Sequence, residues 1–307
     1  MKIALIGGSG SLGRALARKL KDEDRVVIYS RTEGRQQEMA QELPEGGPRG
    51  LRYILGDVTD YRRLCEAIQG CDVVVHAAAD KMIDACTYNI YQSTKNNIYG
   101  TENVARACNE VGVSIALFVS SDKACNAVSA YGAQKFLGEQ LFTSSNNYGK
   151  CIFNSVRYGN CIASNKSMFH TWRYLAISGK PIPVTHADMT RFYWSIEEAA
   201  QFILDRINNI LRSEDRGCIY VPRMNSYKLM DIARTYSHNI VYTGLRGPEK
   251  IHEELVSRVE ANHTYDRGDH YIIYPGYHNW CDVTQCIGAK VPSDFTLTSE
   301  GVSEWNF

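Results

Sequence analysis

Two short stretches carry side chains able to move protons, Ser120-Ser121-Asp122-Lys123 and Tyr131-Gly-Ala-Gln-Lys135. Tyr131 and Lys135 are four residues apart, so a helix puts them on one face. An ammonium beside a phenol favours the phenolate, which would make Tyr131 a base for a hydroxyl proton. Asp122 and Lys123 follow the apolar run Ile115 to Val119, which reads as a buried strand stopping at Ser120. A carboxylate and an amine then stand at the carboxyl end of a strand, where open parallel sheets bind ligands. Neither motif is informative alone. With 19 tyrosines, a lysine four residues on arises about once by chance, and an exposed Asp-Lys pair is usually a solvated turn.

The elements that would position these groups begin with a strand at Ile3 to Ile6, followed by Gly7-Gly8-Ser9-Gly10-Ser11-Leu12-Gly13. Glycines 7, 10 and 13 give a G-x-x-G-x-x-G loop that allows a tight turn and close approach to a pyrophosphate. The helix continuing from Arg14 to Lys21 would aim its first N–H groups at the phosphates. A second strand, Arg25 to Tyr29, ends at Ser30-Arg31. NAD-binding loops carry an acidic residue near this point, whereas Ser30, Arg31 and Arg35 suit a 2′-phosphate, so NADP is the expected cofactor. A third strand, Leu51 to Leu55, leads into Gly56-Asp57-Val58, with Asp57 placed to meet the adenine edge. After a helix over Tyr61 to Gln69, a fourth strand, Asp72 to His76, runs into Ala77-Ala78-Ala79-Asp80-Lys81. Small residues there let the backbone lie against the nicotinamide half. A long helix is expected over Ser93 to Val111.

Strands alternating with helices predict an α/β class, a Rossmann doubly wound parallel sheet with a smaller mixed C-terminal lobe. The expected division is residues 1–160 for the cofactor, with a return to that domain within 190–217, and 161–307 mainly for substrate. Beyond Lys150 the reading gives strands at Asn154–Tyr158 and Cys218–Val221 and helices at Phe169–Ser178 and Ile196–Leu211. The aromatic tail from Tyr271 has no firm pattern.

Composition excludes several classes. Thirty-four basic residues balance 34 acidic ones without a basic stripe, which argues against a nucleic-acid partner. Ten scattered cysteines include no C-x-x-C pair and no metal-ligand spacing, so no metal is expected and the thiols read as buried in a reducing compartment. The first apolar run is too short for a signal peptide, and no segment reaches membrane-span length. A cytoplasmic protein is expected.

Taken together, the chain resembles the extended short-chain dehydrogenase/reductases. Within them it is similar to the inverting UDP-N-acetylglucosamine 4,6-dehydratases of surface-polysaccharide biosynthesis. The resemblance runs from residue 1 to about 280. Its specific parts are Ser121-Asp-Lys-Ala124, Met189-Thr-Arg-Phe192 and Arg246-Gly-Pro-Glu-Lys-Ile-His-Glu253; the glycine loop is widely shared. It implies NADP held by Gly7, Gly10, Ser11, Leu12, Gly13, Ser30, Arg31, Asp57, Val58, Ala77, Ala78, Lys81, Tyr131 and Lys135. It also implies transient oxidation at C4 by NADP, with Tyr131 as base on the C4 hydroxyl, aided by Lys135 and Ser121. Lys123 is then the base at C5, partly neutral, and Asp122 the acid at O6. A UDP-sugar would meet Lys81, Asn160, Ser167, Arg191 and Arg246, with Arg246 on the diphosphate and His252 and Glu253 bracing it. A homodimer or larger homo-oligomer is implied. Two departures fall at Ser164-Asn165-Lys166-Ser167, where relatives have Ser-Arg-Gly-Ser, and at Gly247-Pro248 in place of Pro-Gly. Competing readings are a nucleotide-sugar 4-epimerase, which needs only Tyr131 and Lys135, a retaining 4,6-dehydratase, and a non-catalytic NADP-binding regulator.

Overall fold

The structure, a computed structural model, describes residues 1–43, 50–162, 168–213, 215–276 and 288–303. Six parallel strands form its centre: β1 (Lys2–Ile6), β2 (Arg25–Ser30), β3 (Gly50–Leu55), β4 (Val73–His76), β5 (Ile115–Val119) and β6 (Ile152–Val156). Their order across the sheet is β3-β2-β1-β4-β5-β6. The order reverses between β1 and β4, and the crevice outside the carboxyl ends at such a switch point is where a ligand binds.

Alternation along β1 shows why both faces need cover. Ile3 and Leu5 enter one apolar cluster with Leu16, Ile203 and Ile207, while Ala4 and Ile6 enter another with Leu64, Val104 and Phe142. The first face is covered by α1 (Ser11–Lys19) and α9 (Ile196–Ser213), the second by α3 (Tyr61–Ile68), α6 (Gly100–Val111) and α7 (Ala130–Ser145). Each such buried aliphatic side chain contributes roughly 1.5–3 kcal/mol, so the sheet is rigid where the site needs it.

Helix α2 (Glu33–Glu42) buries only Gln36 and Met39. Its nearly all-polar surface explains why apolar periodicity gives no signal there. The continuous helix expected over 93–111 is instead divided. Short helices α4 (Ile83–Tyr88) and α5 (Ile90–Thr94) lead into a five-residue π-turn, Lys95–Tyr99, and only then α6. The π-turn lets buried Asn96 and Asn97 reach Asp80 after β4, as such bulges often do at functional sites.

The later chain rejoins the large sheet. β10 (Ile219–Pro222) pairs parallel with β6, and β14 (Thr264–Asp266), β15 (His270–Ile273) and β16 (Ala289–Lys290) extend it antiparallel. A separate lobe contains β7 (Asn160–Ile162), β9 (Thr190–Ser195) and β11 (Asn225–Lys228) in one sheet, and β8 (Ile182–Val184) paired with β12 (Ile240–Tyr242). Helices α8 (Met168–Ile177) and α10 (Leu229–Tyr236) close its core around Trp172, Met189, Tyr193 and Tyr227. β13 (Glu254–Val256) pairs with β17 (Leu297–Thr298) beside it.

One buried ion cluster links these parts. Arg157, fully buried after β6, donates from Nε and Nη2 to the Glu139 carboxylate of α7 at 2.9 and 2.7 Å. It also donates from Nη2 to Glu260 Oε1 at 2.7 Å and from Nη1 to the Leu255 carbonyl at 3.0 Å. The guanidinium thereby fixes segment 255–260 against the helix that carries Tyr131.

Candidate active site

A cleft of about 960 Å³ runs along the carboxyl ends of the parallel strands. Gly7, Gly10, Ser11, Leu12 and Gly13 line it at one end. Gly7 has φ +82°, and a Cβ there would lie 2.7 Å from the Ala78 backbone, so the first loop and the segment after β4 touch only because position 7 is glycine. Ala77, Ala78, Val58 and Lys81 continue the wall, as do Ser30, Arg31 and Arg35 near the end of β2.

Arg31 and the neighbouring Asp57 are engaged by protein. Arg31 lies 3.2 Å from Asp80 Oδ1 and 3.7 Å from Asp57 Oδ2. Asp57 Oδ1 accepts from the backbone N–H and hydroxyl of Thr59, both at 2.8 Å, so this carboxylate braces its own turn and Arg31. Asn97 fastens the segment after β4 to α7, donating to the Asp80 carbonyl at 2.9 Å and to Gln134 Oε1 at 2.7 Å.

Ser121, Lys123, Tyr131 and Lys135 line the same cleft. Ser129 caps α7, its hydroxyl accepting from the Gly132 N–H at 3.0 Å. At position 132 a Cβ would run into the Lys123 carbonyl, so glycine lets the 3₁₀ turn Asp122–Ala124 sit directly on the first turn of α7. Asp122 is completely buried, and its backbone N–H donates to the Tyr158 carbonyl at 2.9 Å. Asp122 Oδ1 accepts from Ser121 Oγ at 2.8 Å and from Lys123 Nζ at 3.0 Å. Lys123 Nζ also lies 3.4 Å from Oε1 of Glu253, itself buried.

Charge states follow from this geometry. Burial opposes the Lys123 ammonium, but Asp122 and Glu253 outweigh it and hold the group charged well above the ordinary lysine range. This corrects the expectation of a partly neutral Lys123 in the resting protein. Burial, with Glu253 alongside, pushes the Asp122 carboxyl up despite Lys123. Tyr131 is pushed up to about 12, chiefly by burial; the Lys123 ammonium and a hydrogen bond with Ser121 pull against that. The cation acting most strongly on Tyr131 is therefore Lys123, where the sequence pointed to Lys135. Lys135 Nζ donates to the Val119 carbonyl at 2.7 Å, and burial lowers it to about 8.

On the substrate side, Asn160 and Tyr193 line the cleft and share a hydrogen bond. A small side cavity adjoins Lys123 and includes Arg191, Arg246 and Glu253 in its wall. Arg191 donates to the carbonyls of Thr190, Ile251 and Lys250 at 2.7, 3.0 and 3.0 Å, which anchors its guanidinium to the framework. Arg246 is half exposed and bridges from the lobe to α4, donating to Asp84 Oδ2 at 3.0 Å. Its brace is Glu249, at 2.9 Å, not His252 and Glu253 as expected. His252 instead shares a hydrogen bond with Thr190 at 2.7 Å. Ser167 lies outside the described residues. The sequence reading set Glu253 against Arg246 and gave Glu249 no role. Their four-residue separation within the Arg246-to-Glu253 motif was the available signal.

A family model described as polysaccharide biosynthesis protein matches residues 3–275. The chain belongs to that family. Among its relatives, a UDP-N-acetylglucosamine 4,6-dehydratase (inverting) of Campylobacter jejuni is 36% identical over 282 residues, 89% of this chain and 82% of that one. A UDP-glucose 4-epimerase of Rickettsia bellii is 30% identical over 286 residues, 88% and 82% of the two chains. In three dimensions, Pen from Bacillus thuringiensis superposes with a TM-score of 0.88 at 26% identity, covering 98% of this chain and 94% of that one.

Proposed function

We propose that the chain is an NADP-dependent, inverting UDP-N-acetylglucosamine 4,6-dehydratase that gives a 4-keto-6-deoxy sugar of L-arabino configuration. The observation carrying this reading is the buried Asp122–Lys123 pair, 3.0 Å apart, whose Lys123 lines the cleft together with Tyr131 while Asp122 stands behind it. A 4-epimerase needs Tyr131 and Lys135 but has no use for a second acid/base pair. The relative named a 4,6-dehydratase points the same way.

The cleft fits a dinucleotide: the Gly7 contact leaves no room for a side chain, and buried Ser120 Oγ, on the wall, has no hydrogen-bond partner among the described residues. In this reading Gly7, Gly10, Ser11, Leu12 and Gly13 hold the diphosphate, and Ser30 and Arg31 the 2′-phosphate. Asp57, Val58, Ala77, Ala78 and Lys81 surround the remainder, with Tyr131 and Lys135 at the reacting end. A bound nicotinamide supplies reversible storage of the hydrogen that leaves C4 and returns at C6.

Tyr131 takes the C4 hydroxyl proton, with Ser121 orienting the hydroxyl and cations favouring phenolate. The resulting ketone acidifies C5–H. Lys123 first passes a proton across 3.0 Å to Asp122, an uphill transfer whose cost the raised proton affinity of the buried carboxylate reduces. The pair is then an amine and a carboxylic acid. The amine takes the C5 proton while the acid protonates O6, which departs as water. Both groups end charged as they began, so the pair needs no outside proton for elimination. A proton from solvent adds to C5 from the opposite face to give the inverted product, and Tyr131 releases the C4 hydroxyl proton to solvent. Arg246 exchanges Asp84 for the substrate diphosphate, and Asn160, Lys81 and Ser167 contact the sugar nucleotide, with Arg191 bracing the wall.

Residues 1–160 and the 190–217 return form the cofactor half in this reading, and 161–307 mainly the substrate half. A cytoplasmic homodimer or larger homo-oligomer completes it. Support comes from the described cysteines, all free, and from the exposed Tyr88, Tyr91 and Phe136 on the adjoining helices. Among the described residues no helix is long and apolar enough to cross a membrane. The test is incubation with UDP-N-acetylglucosamine in deuterated water. The expected product is a 4-keto-6-deoxy sugar carrying deuterium at C5 with inverted configuration. An isomer of unchanged mass without deuterium would establish an epimerase instead, retained configuration a retaining dehydratase, and no turnover a regulator.

A further inference from the structure

We propose that Glu253 is the positioning residue of the acid/base pair: it anchors the Lys123 ammonium with a second carboxylate and, by staying charged, directs the proton Lys123 sheds onto Asp122. This rests on the dehydratase reading and adds to it a residue from the far end of the chain. Glu253 is 3% exposed and stands just before β13. Its backbone is fixed from both sides by Ser299, whose hydroxyl accepts its N–H at 2.9 Å and whose N–H donates to its carbonyl at 2.8 Å. Oε1 faces Lys123 Nζ at 3.4 Å and Arg191 Nε at 3.8 Å. Oε2 has no hydrogen-bond partner among the described residues; Lys250 Nζ is 3.9 Å from it. Such an oxygen is costly to bury, and a packing role would be met more cheaply by an apolar side chain.

The charged and titratable groups around the pair come from every neighbouring element. Lys123 and Asp122 sit on the 3₁₀ turn, Arg191 and Tyr193 on β9, Lys250 on the loop leading to Glu253, and Tyr131 on α7. Three cations bear on Glu253, namely Lys123, Arg191 and Lys250; they overcome its burial and hold it below the usual carboxylate range. Asp122 has Lys123 as its cation and Glu253 as an opposing charge, and burial raises it. Of the two carboxylates on Lys123, Asp122 is therefore the better proton acceptor.

Glu253→Gln removes the charge and keeps the shape. The Asp122 carboxyl carbon can be followed by NMR in aspartate-labelled protein, its resonance identified by its loss in Asp122→Asn. Without the neighbouring charge its midpoint should fall by about one pH unit. Both limbs of the pH profile for elimination should also move to lower pH, since Glu253 raises the proton affinity of Asp122 and of Lys123 alike. Glu253→Asp should keep the limbs near their original positions, and it serves as the informative variant if the glutamine protein does not fold. An unmoved Asp122 midpoint with a uniform loss of rate would overturn the proposal and leave Glu253 a packing residue. A shifted midpoint in a protein whose parent forms no dehydration product would support the Glu253–Asp122 coupling while overturning the dehydratase reading.

Discussion

Replacing Lys123 by methionine keeps the length of the side chain and removes only the ammonium. In the native site that charge lies 3.0 Å from Asp122 and 3.4 Å from Glu253, both nearly inaccessible to water. Its loss leaves buried Asp122 without a counter-ion beside the charge of Glu253, which keeps Arg191 and Lys250, a change that costs about 3–5 kcal/mol at neutral pH. For a chain of this size that corresponds to a melting point lower by roughly 6–10 °C. The sign of the pH dependence is fixed. Asp122 already has a folded-state proton affinity above its unfolded one, and losing its cation raises it further, so the variant loses stability as pH rises past the ordinary carboxylate range. The gap between variant and wild type should be widest near neutrality and narrow toward about pH 4. Elimination should fall about 10²–10⁴-fold, while removal of hydrogen from C4, which needs Tyr131, persists at a reduced rate because Tyr131 loses the cation that weighs most on it. Thermal melts across pH and a single-turnover assay for C4 oxidation measure both. A methionine variant with an unchanged melting point at pH 7 and full elimination would refute the placement of the ammonium between two carboxylates.

Other perturbations test the scaffold and the first proton transfer. Tyr131→Phe should stop C4 oxidation, lowering turnover at least ~10²-fold without a change in melting point beyond ~1 kcal/mol equivalent, as read by product formation and calorimetry. Gly132→Ala should displace the 3₁₀ turn, because its Cβ meets the Lys123 carbonyl; elimination should drop more than nucleotide binding, checked by comparing kcat with cofactor affinity. Arg157→Met should destabilise the chain by about 3–5 kcal/mol, since it leaves buried Glu139 without its cation, as chemical denaturation would show. Arg31→Ala should weaken NADP binding and leave NAD binding little changed, which titration of the two cofactors distinguishes.

Much of the parallel sheet was legible because its signals are local. The run Ile3–Ile6 with Gly7–Gly13, and the apolar run stopping at Ser120, each encode a strand and its end within a few residues. The divided helix at 83–111 was not legible. Its interruption serves the hydrogen bonds of Asn96 and Asn97 with Asp80, partners some 16 and 17 positions away. Helix α2 was missed because an exposed, polar helix leaves no apolar stripe.

The order of residues alone determined that an amine and a carboxylate adjoin at 122–123 and that a phenol and an amine share a helical face at 131–135. It also determined the glycine loop that a dinucleotide requires. Only the tertiary structure decided that Lys123, not Lys135, is the cation weighing most on Tyr131, and that Glu253 closes on Lys123 from 130 positions away in the chain. The reason is physical. Spacing fixes which groups are neighbours along one helix or turn, whereas the proton affinity of a buried group depends on every charge within a few ångströms, whichever segment of the chain brings it there.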